Sequence, residues 1–170
     1  FYTPKYITKY IVENTVGKLC DEKKTELEII DEEYAKGRRN RKKETIKKLA
    51  DNLQAYRNWL LQITICDPAC GSGGMLTESQ NFIKDEEGEI KAKGDVYLYG
   101  KEINDETYAI CKSDMMIKGN NPENIRVGST LSTDEFAGTA FDFMLSNPPY
   151  GKSWASEQKF IKDGKDIIDP

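Results

Sequence analysis

A chain of 170 residues, 38% hydrophobic, 10% aromatic and 32% charged, can close one apolar core without disulfides or a structural metal and is too short for two domains of ordinary size. It has no histidine, and its four cysteines (Cys20, Cys66, Cys70, Cys111) include no Cys-x-x-Cys pair, which excludes a zinc ligand set and every mechanism built on an imidazole base. No apolar run approaches the roughly 20 residues needed to cross a bilayer and no secretory pattern is present, so the expectation is a cytoplasmic protein with reduced thiols and no membrane partner. The net charge of −4 hides an uneven distribution, because Lys36 to Lys48 carries eight basic residues against the single acid Glu44. That stretch is either a solvated helix face or a patch that meets a polyanion.

In chain order, Thr3 and Pro4 suit the cap and first turn of a helix over 4–19, with Ile7, Tyr10, Ile11 and Leu19 returning to one face. Residues 21–40 are charged and suit a loop or weak helix. Ile46, Leu49, Leu53, Tyr56 and Leu60 recur at steps of three and four, predicting a second helix with one buried side. From Ile63 onward the pattern alternates. Strands are expected at 63–66, 96–102, 125–127 and 141–145, with helices at 75–83 and 105–117. Such alternation predicts an α/β fold with a mostly parallel sheet and helices on both faces. Ligands then gather at the carboxyl ends of the strands, where every unusual sequence of this chain falls. The pattern divides the chain into an N-terminal helical segment, 1–62, and an α/β core, 63–170, expected to be an incomplete piece of a longer protein.

The first strand runs into Asp67-Pro-Ala-Cys-Gly-Ser-Gly-Gly-Met75. Small residues let a backbone approach a ligand closely. No lysine follows the glycines as a triphosphate-binding loop requires, and Leu76 stands where a dinucleotide fingerprint needs its third glycine. What remains is a loop for a charged, nonphosphorylated ligand, with Asp67 as acceptor for an ammonium group. Glu102, ending the second strand, is placed to accept from the two hydroxyls of a ribose.

The fourth strand ends in Ser146-Asn147-Pro148-Pro149-Tyr150. Proline pins φ, and Pro148 also restricts Asn147 to extended backbone, so the path is nearly fixed. The side-chain oxygen of Asn147 and the carbonyl of Pro148 form two acceptors that match an exocyclic amino group, and Tyr150 can stack on the base that bears it. Such a base must first leave the DNA stack. Two acceptors localise the amine lone pair, and a sulfonium methyl is then an adequate electrophile without an imidazole.

These blocks together resemble the S-adenosylmethionine-dependent adenine-N6 DNA methyltransferases of restriction-modification systems. The wording DPACGSGGML, YGKEINDETYAICKSDMMIKG and FDFMLSNPPYGKSW is similar above all to the modification subunit of type I systems, and the charged insertion before Ile63 to the fused restriction-methylases. The resemblance implies a Rossmann-like methyltransferase sheet preceded by N-terminal helices, with S-adenosylmethionine as cofactor and double-stranded DNA as substrate. It also implies separate specificity and restriction subunits, or fused domains, as partners. Carried over by position, Asp67 and the backbone of Ala69, Gly71 and Gly73 would hold the methionine moiety, with Tyr2 and Thr3 closing over it. Glu102 would take the ribose and Ile103 would pack on the cofactor adenine. Asn147 and Pro148 would accept from the target amine, and Tyr150 would stack on the target base. Ser129 stands where such enzymes commonly place an aspartate toward the cofactor adenine. A same-fold methylase acting on RNA or protein glutamine, and a non-catalytic adaptor retaining the fold, are the alternative readings.

Overall fold

The computed structural model describes residues 3–37, 40–83 and 97–162. It opens with one long helical rod: α1 (Lys5–Val12), a π turn (Glu13–Gly17) and α2 (Lys18–Glu26) follow without leaving right-handed helical backbone. A short α3 (Asp31–Ala35) and a long α4 (Lys43–Leu60) complete the N-terminal part. Then come β1 (Thr64–Asp67), α5 (Gly74–Ile83), β2 (Tyr97–Glu102), α6 (Asp105–Ile117), β3 (Ile125–Val127), β4 (Phe143–Met144) and α7 (Gln158–Lys162).

The four strands form one sheet of order β3-β2-β1-β4 in which every pairing is parallel. Steps from β1 to β2 to β3 move in one direction, so right-handed crossovers put α5 and α6 on the same face. Strand periodicity divides the side chains accordingly. Leu98 and Gly100 look toward the helices, where a Cβ on Gly100 would stand 2.9 Å from Cys70 Sγ and 3.1 Å from Leu76 Cδ1 and Ile125 Cδ1. Tyr99 looks the other way, into an aromatic trio with Phe136 and Phe141 at centroid distances of 5.0 to 5.8 Å. The irregular connection between β3 and β4 supplies those two phenylalanines and covers that face. Lys101, only 2% exposed, points to it too and donates to the Thr133 hydroxyl at 2.7 Å.

One apolar cluster runs from Val12, Val16 and Cys20 of the rod through Leu76 and Ile83 of α5 to Ile65, Leu98 and Ile125 of the sheet. The N-terminal helices therefore share their core with the sheet. Polar groups inside it are paired: Gln80 and Asn120 exchange two amide hydrogen bonds of 2.7 and 3.1 Å.

Several local expectations are corrected. The inward row of the first helix is Thr8, Val12, Val16 and Cys20, and Tyr10 is 66% exposed. A spacing of four carried through the π turn keeps these residues on one side, whereas the expected set included residues from the flank. Thr3 makes no cap; Pro4 occupies the N-cap position, and its carbonyl accepts from Ile7 N and Thr8 N. Residues 21–40, expected as loop or weak helix, hold the end of α2 and all of α3. Leu53 is 46% exposed because Asn52 turns inward instead, donating to the Leu27 carbonyl at 2.8 Å. The fourth strand is shorter than 141–145, since the Asp142 carboxylate takes Thr64 N and Thr64 Oγ1 where ladder bonds would start.

The basic stretch is partly neutralised within the chain. Lys36 and Arg41 pair with Glu33, and Lys48 pairs with Glu28 at 2.6 Å; residues 38 and 39 lie outside the described residues.

Because three core side chains crowd the missing Cβ of Gly100, Gly100→Ala is expected to destabilise the protein by about 1–3 kcal/mol through overpacking. Urea denaturation of the two variants measures it.

Candidate active site

Parallel pairing brings the carboxyl ends of all four strands to one edge, and each end carries a motif. The loop after β1 is sewn to its neighbours by backbone: Cys70 N donates to the Lys101 carbonyl at 2.9 Å and Gly73 N to the Cys70 carbonyl at 2.8 Å. The Thr130 hydroxyl donates to the Pro68 carbonyl, tying the segment after β3 to the same loop. Glu102 accepts from Gly71 N through Oε2 and from Asn104 N through Oε1, both at 2.9 Å. One carboxylate thus joins the glycine loop to the start of α6, and each oxygen keeps a further lone pair for a ligand. Asn104 caps α6 by accepting from Thr107 N at 2.9 Å, with Asp105 and Glu106 in the first turn.

These pieces wall one cavity of about 710 Å³. Of the residues singled out by sequence, Thr3, Asp67, Ala69, Gly71, Glu102, Ile103, Ser129, Asn147, Pro148 and Tyr150 line it. Tyr2 lies outside the described residues. Gly73 is not among the lining residues: it has φ +86°, and a Cβ there would meet Cys111 Sγ at 2.9 Å and Met115 Cε at 3.1 Å, so it seats the loop on α6. Gly71, at φ +54°, has open space on its Cβ side. Thr8, Asn104, Thr107, Thr130 and Lys152 also line the cavity and were not singled out. Only the turn sequence after Glu102, an Asn followed three residues later by Thr, carried a signal for any of them.

Asp67 is the buried acid of the cavity. It is 2% exposed and accepts one hydrogen bond at its carboxylate, from Ala69 N at 3.0 Å. Burial, with the charge of Glu102 adding to it, pushes its carboxyl up to about 7. A cation placed beside it would restore the ionised form. Ser129 Oγ accepts from Leu131 N at 3.2 Å, closing a small turn. Tyr150 is 94% exposed and its ring is unencumbered at the mouth. Asn147 donates from Nδ2 to Thr3 Oγ1 at 3.0 Å. Cys70 borders the cavity with its Sγ 3.8 Å from Cys111 Sγ, and that contact, with burial adding to it, raises its thiol far above the ordinary range. Cys66 is pushed up to about 12 by burial. Neither is a thiolate, so neither offers a nucleophile. Among the described residues no cluster of His, Cys, Asp or Glu can hold a metal ion, and no helix is long and apolar enough to cross a membrane.

The sequence matches the family model described as N-6 DNA Methylase over residues 43–167. The chain belongs to that family. It is 32% identical over 105 residues to the type I restriction enzyme MjaVII methylase subunit of Methanocaldococcus jannaschii, covering 61% of this chain and 17% of that protein. It is 31% identical over 105 residues to the type I restriction enzyme MpnII methylase subunit of Mycoplasma pneumoniae, covering 56% and 18%. The type II restriction enzyme and methyltransferase RM.BcgI of Heyndrickxia coagulans is 28% identical over 118 residues, covering 61% and 18%. Among solved structures, the type I restriction-modification system methyltransferase subunit from Streptococcus thermophilus aligns with a TM-score of 0.48 at 28% identity, covering 61% of this chain and 21% of that one. The matched part of the chain spans under a fifth of the length of these curated relatives.

Two outcomes follow from the geometry. Gly73→Ala combines a backbone conformation that disfavours a side chain with a clash against Cys111, and is expected to cost about 2–4 kcal/mol of stability. Gly71→Ala meets only the first of these and is expected to cost less; thermal unfolding of both variants checks the order. The second outcome concerns pH. The Asp67 carboxyl sits near 3.8 when unfolded and at about 7 when folded, so the folded chain holds the proton more tightly. Its stabilising contribution is complete below about pH 4 and is lost as pH rises to about 7. Asp67→Asn should flatten that part of the stability profile, measured as Tm against pH in parallel with the wild type.

Proposed function

We propose that this chain carries the catalytic core of an adenine-N6 DNA methylase of a restriction-modification system, with S-adenosylmethionine as methyl donor. Separate specificity and restriction subunits, or fused domains, would choose and cleave the DNA. The observation that carries the reading is that the acids of β1 and β2 and the Asn147-Pro148-Tyr150 turn border the same cavity. Its volume of about 710 Å³ lies in the cofactor-sized range of roughly 300–1,000 Å³. Family membership and the curated relatives, named as methylase subunits of restriction enzymes, support the same conclusion.

The donor set fits the cofactor. A buried carboxylate with one backbone donor bond suits an ammonium group, and Glu102 has lone pairs left for two ribose hydroxyls. The backbone of Ala69 and Gly71 would pass along the methionine moiety, with Thr3 bordering the same cavity. Ile103, 59% exposed at the rim, offers an apolar surface for the cofactor adenine, and Ser129 an uncharged hydroxyl near it. When bound, the cofactor supplies an electrophilic methyl on a positively charged sulfur whose leaving group is neutral.

The chain's own residues act on the other reactant. Asn147 Oδ1 and the Pro148 carbonyl accept the two hydrogens of the target amine, which withdraws its lone pair from the ring and concentrates it on nitrogen. Tyr150 stacks on the extruded base and fixes its plane. One amine proton leaves to water, so the histidine-free composition is no obstacle. Position and electrostatics supply the catalysis.

Asn147→Ala is expected to lower methyl transfer by about a hundredfold or more while S-adenosylmethionine affinity stays within about threefold, because one of two aimed acceptors is lost. Transfer of labelled methyl to DNA by the full-length protein with its partner subunits, alongside calorimetry with the cofactor, measures both. Unchanged transfer would remove Asn147 from the mechanism. Transfer to RNA or to a glutamine peptide, with none to DNA, would replace the substrate.

A further inference from the structure

An asparagine side chain ends in one acceptor and one donor group, and its terminal torsion has two broad, nearly equivalent settings. The prolines after Asn147 restrict its backbone and leave that torsion free. Something else must decide whether an incoming amine meets oxygen or NH₂. If it met NH₂, donor would face donor and the methyl acceptor would be repelled.

Thr3 supplies a partner for one end of that amide: a hydroxyl can accept from Nδ2 or donate to Oδ1, and here it accepts. Its Oγ1 accepts from Asn147 Nδ2 at 3.0 Å, a contact between residues 144 positions apart, and among the described residues Asn147 Oδ1 has no hydrogen-bond partner. Both residues border the cavity. The hydroxyl is available because Thr3 does not cap α1. Its position is fixed because Pro4, next in the chain, takes Ile7 N and Thr8 N at 3.0 and 3.1 Å, while Thr8 and Val12 are buried in the core. The helix rod is thus a fixed mount for one hydroxyl that faces the NPPY turn.

We infer that Thr3 is a positioning residue for methyl transfer: its hydroxyl holds the Nδ2 end of the Asn147 amide and so presents Oδ1 to the target amine. The inference rests on the methylase reading and assigns Thr3 an effect on the reacting base beyond any contact with the cofactor. A hydroxyl that merely lined the cofactor pocket would alter cofactor affinity; one that sets the amide alters the rate.

Thr3→Val keeps the branched shape and deletes the hydroxyl, and Thr3→Ser keeps the hydroxyl and deletes a methyl. In the full-length protein with its partner subunits, Thr3→Val is expected to slow single-turnover methyl transfer to DNA by about ten- to a hundredfold. Its S-adenosylmethionine affinity by calorimetry should fall by much less than the rate does, and the retained binding also reports that the variant is folded. Thr3→Ser should transfer within about threefold of the wild-type rate. Wild-type rate in Thr3→Val, an affinity loss equal to the rate loss, or a Thr3→Ser as slow as Thr3→Val would each overturn the positioning role while leaving the methylase reading intact. A wild-type complex that binds cofactor and transfers nothing to DNA would overturn the methylase reading, and the role of Thr3 with it.

Discussion

Parallel pairing of β1 with β2 on one side and β4 on the other is the constraint on which the site depends. Parallel strands end at the same edge, so Asp67, Glu102 and the turn beginning at Ser146 arrive together although they come from three distant parts of the chain. The register is exact to the residue: Asp67 lies opposite Gly100, and Cys66 opposite Met144. A slip of one residue would turn Asp67 to the face of the aromatic trio and empty the cavity of its acid. Gly100 helps to hold that register, since it leaves room for Cys70 and Leu76 to settle between β2 and α5.

Around this edge, polar groups do two jobs at once. Glu102 fastens the glycine loop to α6 with both oxygens, borders the cavity and still has lone pairs unused. Asp67 is buried against its preference, which raises its proton affinity and leaves a site that a cation would relieve. A hydrogen bond from a backbone amide offsets only part of that desolvation. The opposite wall is built differently. There the Asn147-Pro148-Pro149 turn brings an uncharged amide and proline carbonyls to the cavity beside Lys152, and Tyr150 stands out in solvent.

Much of the architecture was legible because its signals are local. Short β-branched or aromatic apolar runs located all four strands, and β3 and α6 fall where the pattern predicts them. The errors have identifiable causes. Tyr10 and Leu53 were assigned inward by spacing alone, yet a tyrosine tolerates solvent and Asn52 could reach a free carbonyl that Leu53 could not. The length of the first helix was underestimated because charged residues after Leu19 favour helix as readily as loop. Gly73 was grouped with the ligand-facing glycines because motif spacing does not say on which side of a turn an α-carbon lies; contact with Cys111 decides that.

By itself the sequence determined the chain order of the motifs: which acids, which amide and which aromatic stand at strand ends, and that these 170 residues supply no imidazole. Those properties follow from residue type and near-neighbour spacing. Only the tertiary structure decided that Thr3 faces Asn147, that Glu102 grips Gly71, and that Gly73 leans on α6. Each of these joins residues far apart in the chain. Such contacts depend on how helices and strands pack, and packing is a property of the assembled core that no local stretch encodes.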